Sequence, residues 1–195
     1  MVYSIFIMEE RGFEMNYDCI DITSFYNNKM IFSGYDEATS CTLVDYFVNN
    51  CFEGIDSGKI PFSFPVGTET NHLQYDNMSC EGQIINLNNR LCKSIHCVGF
   101  CEWGDMRGEL TLSYQNGTVR HSDIFFYDWY RKSEDFFLYD VKDENCFILN
   151  ISKTMKGKKA LYLYTIHLGF DNERLNTIQV PYIPNMHIFS ITLEY

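Results

Sequence analysis

The chain has 195 residues, with 15 lysines and arginines against 26 aspartates and glutamates, so its formal net charge is −11. Hydrophobic residues make up 46% of it and charged residues 21%, which excludes intrinsic disorder and allows one domain with its own core. The acidic excess argues against nucleic acids and anionic membrane surfaces as partners, because clustered lysine and arginine side chains bind both.

The first 20 residues do not form a secretory signal, because Glu9, Glu10 and Arg11 interrupt the only early apolar run. No segment approaches the roughly 18 apolar residues of a membrane-spanning helix. Without an export signal, we interpret the eight cysteines as reduced thiols that behave as small hydrophobes. These observations predict a cytoplasmic protein with no membrane partner.

Apolar and polar residues alternate with a period of two along most of the chain, and helical periodicity is scarce. We interpret 1–195 as one domain in which 1–16 form an N-terminal arm and 38–51 are compatible with a short helical turn. The remainder predicts about nine strands. In chain order they are 59–64, 82–87, 91–99, 109–114, 119–127, 135–141, 160–168, 177–180 and 186–194.

The most distinct pair of strands is 109–114 with 119–127. Leu110, Leu112 and Tyr114 share one face of the first strand. Asn116-Gly117 is the preferred pair for a type I′ turn, because both of its central positions need positive φ. This segment therefore predicts a β-hairpin. Together with an aromatic content of 16%, which suits pleated half-buried surfaces, the strand spacing predicts an all-β antiparallel sandwich.

Common catalytic motifs are absent from the sequence: it has no G-x-S-x-G, G-x-G-x-x-G or H-E-x-x-H. The segment 54–59 has the wrong glycine spacing for a phosphate loop and favours a turn before a strand. His187 lies on the apolar face of the last strand, which favours a core or rim histidine bonded to the backbone over a catalytic base. A pair of carboxylates for glycoside hydrolysis stays open, because such a pair need only meet in space.

Metal ligands are present without a metal-binding spacing. The candidate zinc ligands are Cys92, His96, Cys97 and Cys101. On one strand His96 would point away from Cys97 and Cys101, so a tetrahedral site would need a bend. We therefore expect no cofactor, and leave calcium open because loop oxygens could bind it. The calcium candidates are Asp36 with Glu37 and Asp76 with Asn77.

Both tryptophans lie beside acidic residues. Trp103 stands between Glu102 and Gly104-Asp105, and Trp129 follows Asp128. An indole ring flanked by hydrogen-bonding groups suits a pyranose, whose C–H face stacks on the ring while its hydroxyls meet polar side chains. For each tryptophan the alternative is a buried ring that closes the end of the sandwich.

Several motifs follow one another in a characteristic order over residues 17–195. They are Tyr26-Asn27-Asn28, Gly34-Tyr35-Asp36, the Phe-Ser-Phe-Pro of 62–65, Gly82-Gln83-Ile84-Ile85, the segment 96–105, Gly108 to Tyr114, Asp123 to Trp129, and Pro184 to Glu194. This order resembles the galactose-binding-like jelly-roll modules that are attached to bacterial glycoside hydrolases. The resemblance implies a jelly roll of two antiparallel sheets and a carbohydrate-related role without catalysis.

We expect weak, reversible carbohydrate binding by loops at one end of the sandwich, with stacking on Trp129 and hydrogen bonds from asparagine and aspartate side chains. Two alternatives stay open: a protein-interaction or homo-oligomerisation scaffold without a small ligand, and a sugar-active enzyme that uses carboxylates and His187. The predicted ligand-binding residues are Trp129, Asn27, Asn28, Tyr35, Asp36, Asp105 and Asn185.

Overall fold

The fold is known from a computed structural model that describes residues 17–28, 60, 62, 75–131, 143–154, 157–169 and 173–195. These residues form eleven strands and a short 3-10 helix, Thr23–Phe25. The strands are β1 Tyr17–Ile20, β2 Met78–Glu81, β3 Ile84–Leu91, β4 Ser94–Cys101, β5 Met106–Tyr114, β6 Val119–Phe126, β7 Tyr130–Arg131, β8 Cys146–Thr154, β9 Gly157–His167, β10 Arg174–Gln179 and β11 Tyr182–Glu194. Within these ranges, no helix has the length and apolar character needed to cross a membrane.

The strands form two antiparallel sheets, which confirms the predicted all-β antiparallel sandwich. The large sheet has seven strands in the order β1-β11-β4-β9-β7, with β2 also paired to β11 and β8 to β9. The small sheet has four strands in the order β3-β10-β5-β6. The chain passes from the small sheet to the large one between β10 and β11. The finer jelly-roll topology stays a prediction.

Strand β4 lies in the middle of the large sheet and is buried along its whole length. Gly99 faces the small sheet, because a Cβ at this position would lie 2.8 Å from the ring of Phe126 in β6. Side chains alternate along a strand, so Cys97 and Cys101 share this interior face while His96 and Phe100 face the other side. The four zinc candidates therefore do not converge on one point.

Several predicted strands match observed ones in part. The strand predicted at 186–194 is contained in β11, and those at 160–168 and 177–180 overlap β9 and β10. The strand predicted at 91–99 is wrong at its start, because β3 ends at Leu91 and β4 begins at Ser94. The arm at 1–16, the helical turn at 38–51 and the strand at 135–141 lie outside the described residues, as does 59–64 apart from Ile60 and Phe62.

The predicted hairpin is confirmed, but its turn is not type I′. Strands β5 and β6 pair from Met106↔Phe126 to Ser113↔Val119. Positive φ occurs at Gly117, at 86°, and not at Asn116. The Asn116 side chain instead accepts a hydrogen bond from the Thr118 N–H at 2.8 Å. This local bond stabilises a longer loop in which only the glycine is left-handed.

Candidate functional site

Three segments of chain meet at one end of the sandwich, namely 102–105, 127–129 and 184–186. We call 102–105, which connects β4 to β5, the end loop. The main-chain N–H of Glu102 donates to the main-chain oxygen of Asn185 at 2.8 Å. This bond places the exposed Asn185 side chain beside the end loop.

The other side of the end loop is attached to the segment that follows β6. The Asp105 carboxylate accepts a hydrogen bond from the Asp128 N–H at 2.8 Å. One residue further on, the Trp129 N–H donates to the main-chain oxygen of Cys101 at 2.8 Å. The structure thus brings together three of the predicted ligand residues, Asp105, Trp129 and Asn185.

Trp129 is half-buried and packs against the core. Its ring is stacked on that of Phe100, with centroids 4.9 Å apart and an interplanar angle of 15°. Phe100 also contacts the rings of His187 and Phe189, at centroid distances of 5.3 and 5.5 Å. One face of the Trp129 indole is therefore covered by protein, and the predicted role of this residue in stacking on a ligand stays a prediction.

Trp103 lies at the tip of the end loop and is 86% exposed, so the buried alternative is wrong for this tryptophan. Its φ is 65° and that of the following Gly104 is 129°. A bulky side chain at positive φ is uncommon, because its Cβ crowds the neighbouring backbone. Such conformations persist where the surrounding structure fixes them, and they concentrate at functional sites. The end loop therefore presents an indole ring to solvent at a cost in backbone strain.

Asn27 and Asn28 contribute to the framework of the fold. The Asn27 side chain accepts from the Ser79 N–H at 2.7 Å and donates to the Ser79 carbonyl at 3.3 Å. Asn28 pairs through its main chain with Asn77 in an isolated antiparallel bridge. Both polar atoms of the Asn27 amide are thus engaged. The other two predicted ligand residues, Tyr35 and Asp36, lie outside the described part of the chain.

Behind the end loop lies a line of four polar side chains that we call the buried chain: Asp76, Asn77, His187 and Glu102. Asn77 Nδ2 donates to Asp76 Oδ1 at 2.8 Å, and Asn77 Oδ1 lies 2.9 Å from His187 Nδ1. His187 Nε2 lies 3.4 Å from Glu102 Oε2. Asp76, Asn77 and His187 are buried, while a quarter of the Glu102 side chain is exposed.

The buried chain revises two expectations. His187 is buried, as the pattern of its strand predicted, but its partner is the Asn77 side chain and not the backbone. Asp76 and Asn77, the calcium candidates in the described residues, bond to each other. In the described ranges no three histidine, cysteine, aspartate or glutamate side chains come together as metal ligands.

A second buried histidine lies on the same face of the large sheet. His96 Nδ1 is 3.0 Å from Thr165 Oγ1, and its Nε2 is 3.4 Å from Glu194 Oε2. Burial lowers the pKa of His96, although the Glu194 carboxylate acts in the opposite direction. Burial dominates because the imidazolium loses more hydration than a single carboxylate at this distance restores.

An open depression of about 370 Å³ lies at the far end of β5 from the end loop. It is lined by Gln115, Asn116, Glu173 and Arg174. The Glu173 carboxylate accepts from the Asn116 amide at 2.8 Å and pairs with Arg120 at 3.0 Å. Among the described residues of this lining Glu173 is the single carboxylate, and it is paired with Arg120, so these residues by themselves do not form the pair that glycoside hydrolysis requires.

Comparison of the sequence with protein-family models and with curated proteins finds no match. The resemblance to galactose-binding-like modules therefore rests on the order of motifs in the sequence, and what it implies stays a prediction.

Proposed function

We propose that the protein binds carbohydrate weakly and reversibly at the end loop, with Trp103 as the stacking surface. The observation that carries the proposal is the Trp103 indole, 86% exposed in a left-handed backbone conformation. Both faces of a pyranose carry C–H groups that pack on an aromatic ring, and an exposed indole offers the largest such surface among side chains. The proposal moves the stacking role from Trp129 to Trp103.

Polar side chains lie on both sides of the end loop, Asn185 on the side of β11 and Asp105 on the side of the segment that follows β6. Both side chains are exposed, and Asn185 is held next to the loop because its carbonyl accepts a hydrogen bond from the Glu102 N–H. A carboxylate accepts and an amide both donates and accepts, which matches the mixed character of sugar hydroxyls. The combination of one flat ring and several short polar side chains supports a sugar ligand over an apolar one.

The proposed site is an open surface, so the bound sugar stays largely hydrated. Aromatic contacts of this kind contribute about 1 kcal/mol beyond area burial. A dissociation constant of 1 mM corresponds to about −4 kcal/mol, and we expect single sugars to bind on that order. Such affinity suits a binding module that acts through several contacts along a polysaccharide.

Tryptophan fluorescence tests the proposal, because the chain has two tryptophans. In a Trp129→Phe variant, which keeps an aromatic ring on Phe100, all indole emission comes from Trp103. We expect galactose, glucose, mannose or xylose to shift this emission and to protect Trp103 from quenching by acrylamide. Each sugar is titrated to about 100 mM, which is about 100 times a dissociation constant near 1 mM. Isothermal calorimetry on the unaltered protein gives an independent measurement.

Matched variants show whether the binding depends on the end loop. Trp103→Ala should abolish the calorimetric signal. Tyr182→Ala removes another exposed aromatic side chain, 76% exposed on β11, and should leave it unchanged. If no sugar alters Trp103 emission or releases heat, the proposal is wrong. Self-association that Trp103→Ala abolishes, without any sugar response, would support the scaffold instead, since exposed tryptophans are common at the centres of interfaces.

A further inference from the structure

We propose that His187 is a positioning residue which holds the end loop through Glu102, so that its protonation controls how Trp103 is presented. The effect on the loop follows from the buried chain alone. Only the consequence for sugar binding rests on the proposed function.

The hydrogen positions in the buried chain are fixed by its chemistry. Asn77 Nδ2 lies 3.3 Å from the Asn28 carbonyl and 2.8 Å from Asp76 Oδ1. A carbonyl oxygen only accepts hydrogen bonds, so the amide nitrogen must be on this side and the amide oxygen must face His187. His187 Nδ1, 2.9 Å from that oxygen, therefore carries a hydrogen.

The second ring nitrogen faces Glu102. His187 Nε2 is buried and has no hydrogen-bond partner among the described residues, and Glu102 Oε2 lies 3.4 Å from it. Since Nδ1 already carries a hydrogen, a neutral ring would direct a lone pair at a carboxylate. The doubly protonated ring directs an N–H at it instead. When both ring nitrogens are protonated this contact is an ion pair, longer than a short charge-assisted hydrogen bond, and loss of one proton converts it to repulsion.

The charged groups that face His187 in the described structure come from two segments. Asp76, ahead of β2, acts through Asn77, and Glu102, at the end of β4, acts directly. Its neutral neighbours include the ring of Phe100, 5.3 Å away between centroids, and Ser79, which lies opposite His187 in the β2–β11 pairing. Both charged neighbours are carboxylates.

Glu102 transmits this state to the loop because β11 holds it at two points. Its main-chain N–H bonds to Asn185, and its side chain pairs with His187, two residues further along the same strand. The next residue is Trp103, whose positive φ requires support from its surroundings. Loss of the side-chain contact leaves the main-chain bond as the single described link from Glu102 to β11, so the indole should become more mobile.

The test measures Trp103 emission, anisotropy and acrylamide quenching in the Trp129→Phe background between pH 8 and pH 5, the range in which histidine charge changes. We expect the indole to become more ordered and less quenched on acidification, in one step. Glu102→Gln and His187→Gln should each abolish that step. His121→Gln, which alters an exposed histidine 2.9 Å from Glu109 on the small sheet, should retain it.

Glu102→Gln is the decisive variant, because its side chain is partly exposed and the substitution keeps its size; circular dichroism checks that it folds. A pH step that persists in Glu102→Gln, or no step in the parent, would overturn the inference. Sugar titrations at pH 5 and pH 8 are separate from this result: a step without sugar binding refutes the proposed function alone, and binding without a step refutes the positioning role alone.

Discussion

Replacing Gly99 with alanine tests how closely the two central strands of the large sheet approach each other. A Cβ at this position would overlap the main-chain oxygen of His187 and would lie 2.8 Å from the ring of Phe126. The ring can tilt, but the oxygen belongs to the backbone of β11. No rotamer change relieves that contact, so β11 has to move away from β4.

The expected loss of stability follows from two contributions. Adding a methyl group to a packed interior costs about 1–3 kcal/mol, and each ladder hydrogen bond weakened by the separation costs about 1 kcal/mol more. We therefore expect a decrease in the free energy of unfolding of about 3 kcal/mol or more. For a chain of this size that corresponds to a fall in Tm of roughly 6–12 °C, measurable by calorimetry or by urea unfolding followed by circular dichroism.

Gly108→Ala is the matched control. A Cβ there would lie 2.8 Å from Pro181 Cγ and 2.9 Å from Ile183 Cδ1, which are side-chain atoms. The isoleucine can change rotamer and the Pro181 ring can shift only slightly, so we expect a loss of about 1–2 kcal/mol, in the lower part of the range for overpacking. If Gly99→Ala is no more destabilising than Gly108→Ala, the argument from backbone contact is refuted.

Three further predictions concern a buried histidine, a side-chain amide of the framework and the thiols. Because burial lowers the pKa of His96 from its usual 6.5, the unfolded chain binds this proton more tightly and stability should fall as the pH drops below about 6.5. Urea midpoints measured from pH 7.5 to pH 5.5 should show a smaller slope in His96→Gln, and an unchanged slope would contradict the assignment. Asn27→Ala removes both hydrogen bonds to Ser79 and should lower the free energy of unfolding by about 1–3 kcal/mol. Asn28→Ala, which keeps its main-chain bridge, should lower it by less than half of that. Equal decreases in urea unfolding would count against the framework role. Iodoacetamide at pH 8, followed by peptide mass mapping, should modify the half-buried Cys19 in the native protein. It should spare five buried thiols whose pKa burial raises, to about 12 in three of them: Cys80, Cys92, Cys97, Cys101 and Cys146. Labelling of these five as fast as Cys19 would disprove their protection.

Strands in which apolar and polar residues alternate were predicted from the sequence, and strands that are short or irregularly paired were missed. Apolar and polar residues alternate over 189–194 of β11 and 110–114 of β5, and Asn116-Gly117 marks a turn, so the last strand and the hairpin were predictable. Strand β8 was missed because its register shifts between Ile148 and Asn150, which interrupts the period of two. Strand β2 has four residues and three of them are buried, so its pattern does not distinguish a strand from other buried chain; pairing with β11 defines it.

The sequence grouped the candidate site only in part. It placed Asp105, Trp129 and Asn185 together, and the structure brings their segments together, but it included Asn27, which bonds to Ser79 in the framework; ligand binding by these residues stays a prediction. Which tryptophan is exposed depends on the left-handed φ of Trp103 and on Phe100 covering Trp129. Neither is encoded in local composition. The buried chain unites residues far apart in sequence, and only the register of β11 aligns them.

One local signal did point to this register, namely Pro184 inside the last strand. Proline has no N–H for a ladder bond and is confined within sheets to edges and bulges. The pairing of β11 with β2 moves from Ile183↔Cys80 directly to His187↔Ser79, so 184–186 bulge out of the ladder. The Pro184 carbonyl instead accepts from the Ser79 hydroxyl at 2.6 Å, and the next carbonyl accepts from Glu102. Because bulges redirect side chains and often adjoin functional sites, a proline within an otherwise regular strand indicates where β11 leaves its partner to hold the end loop.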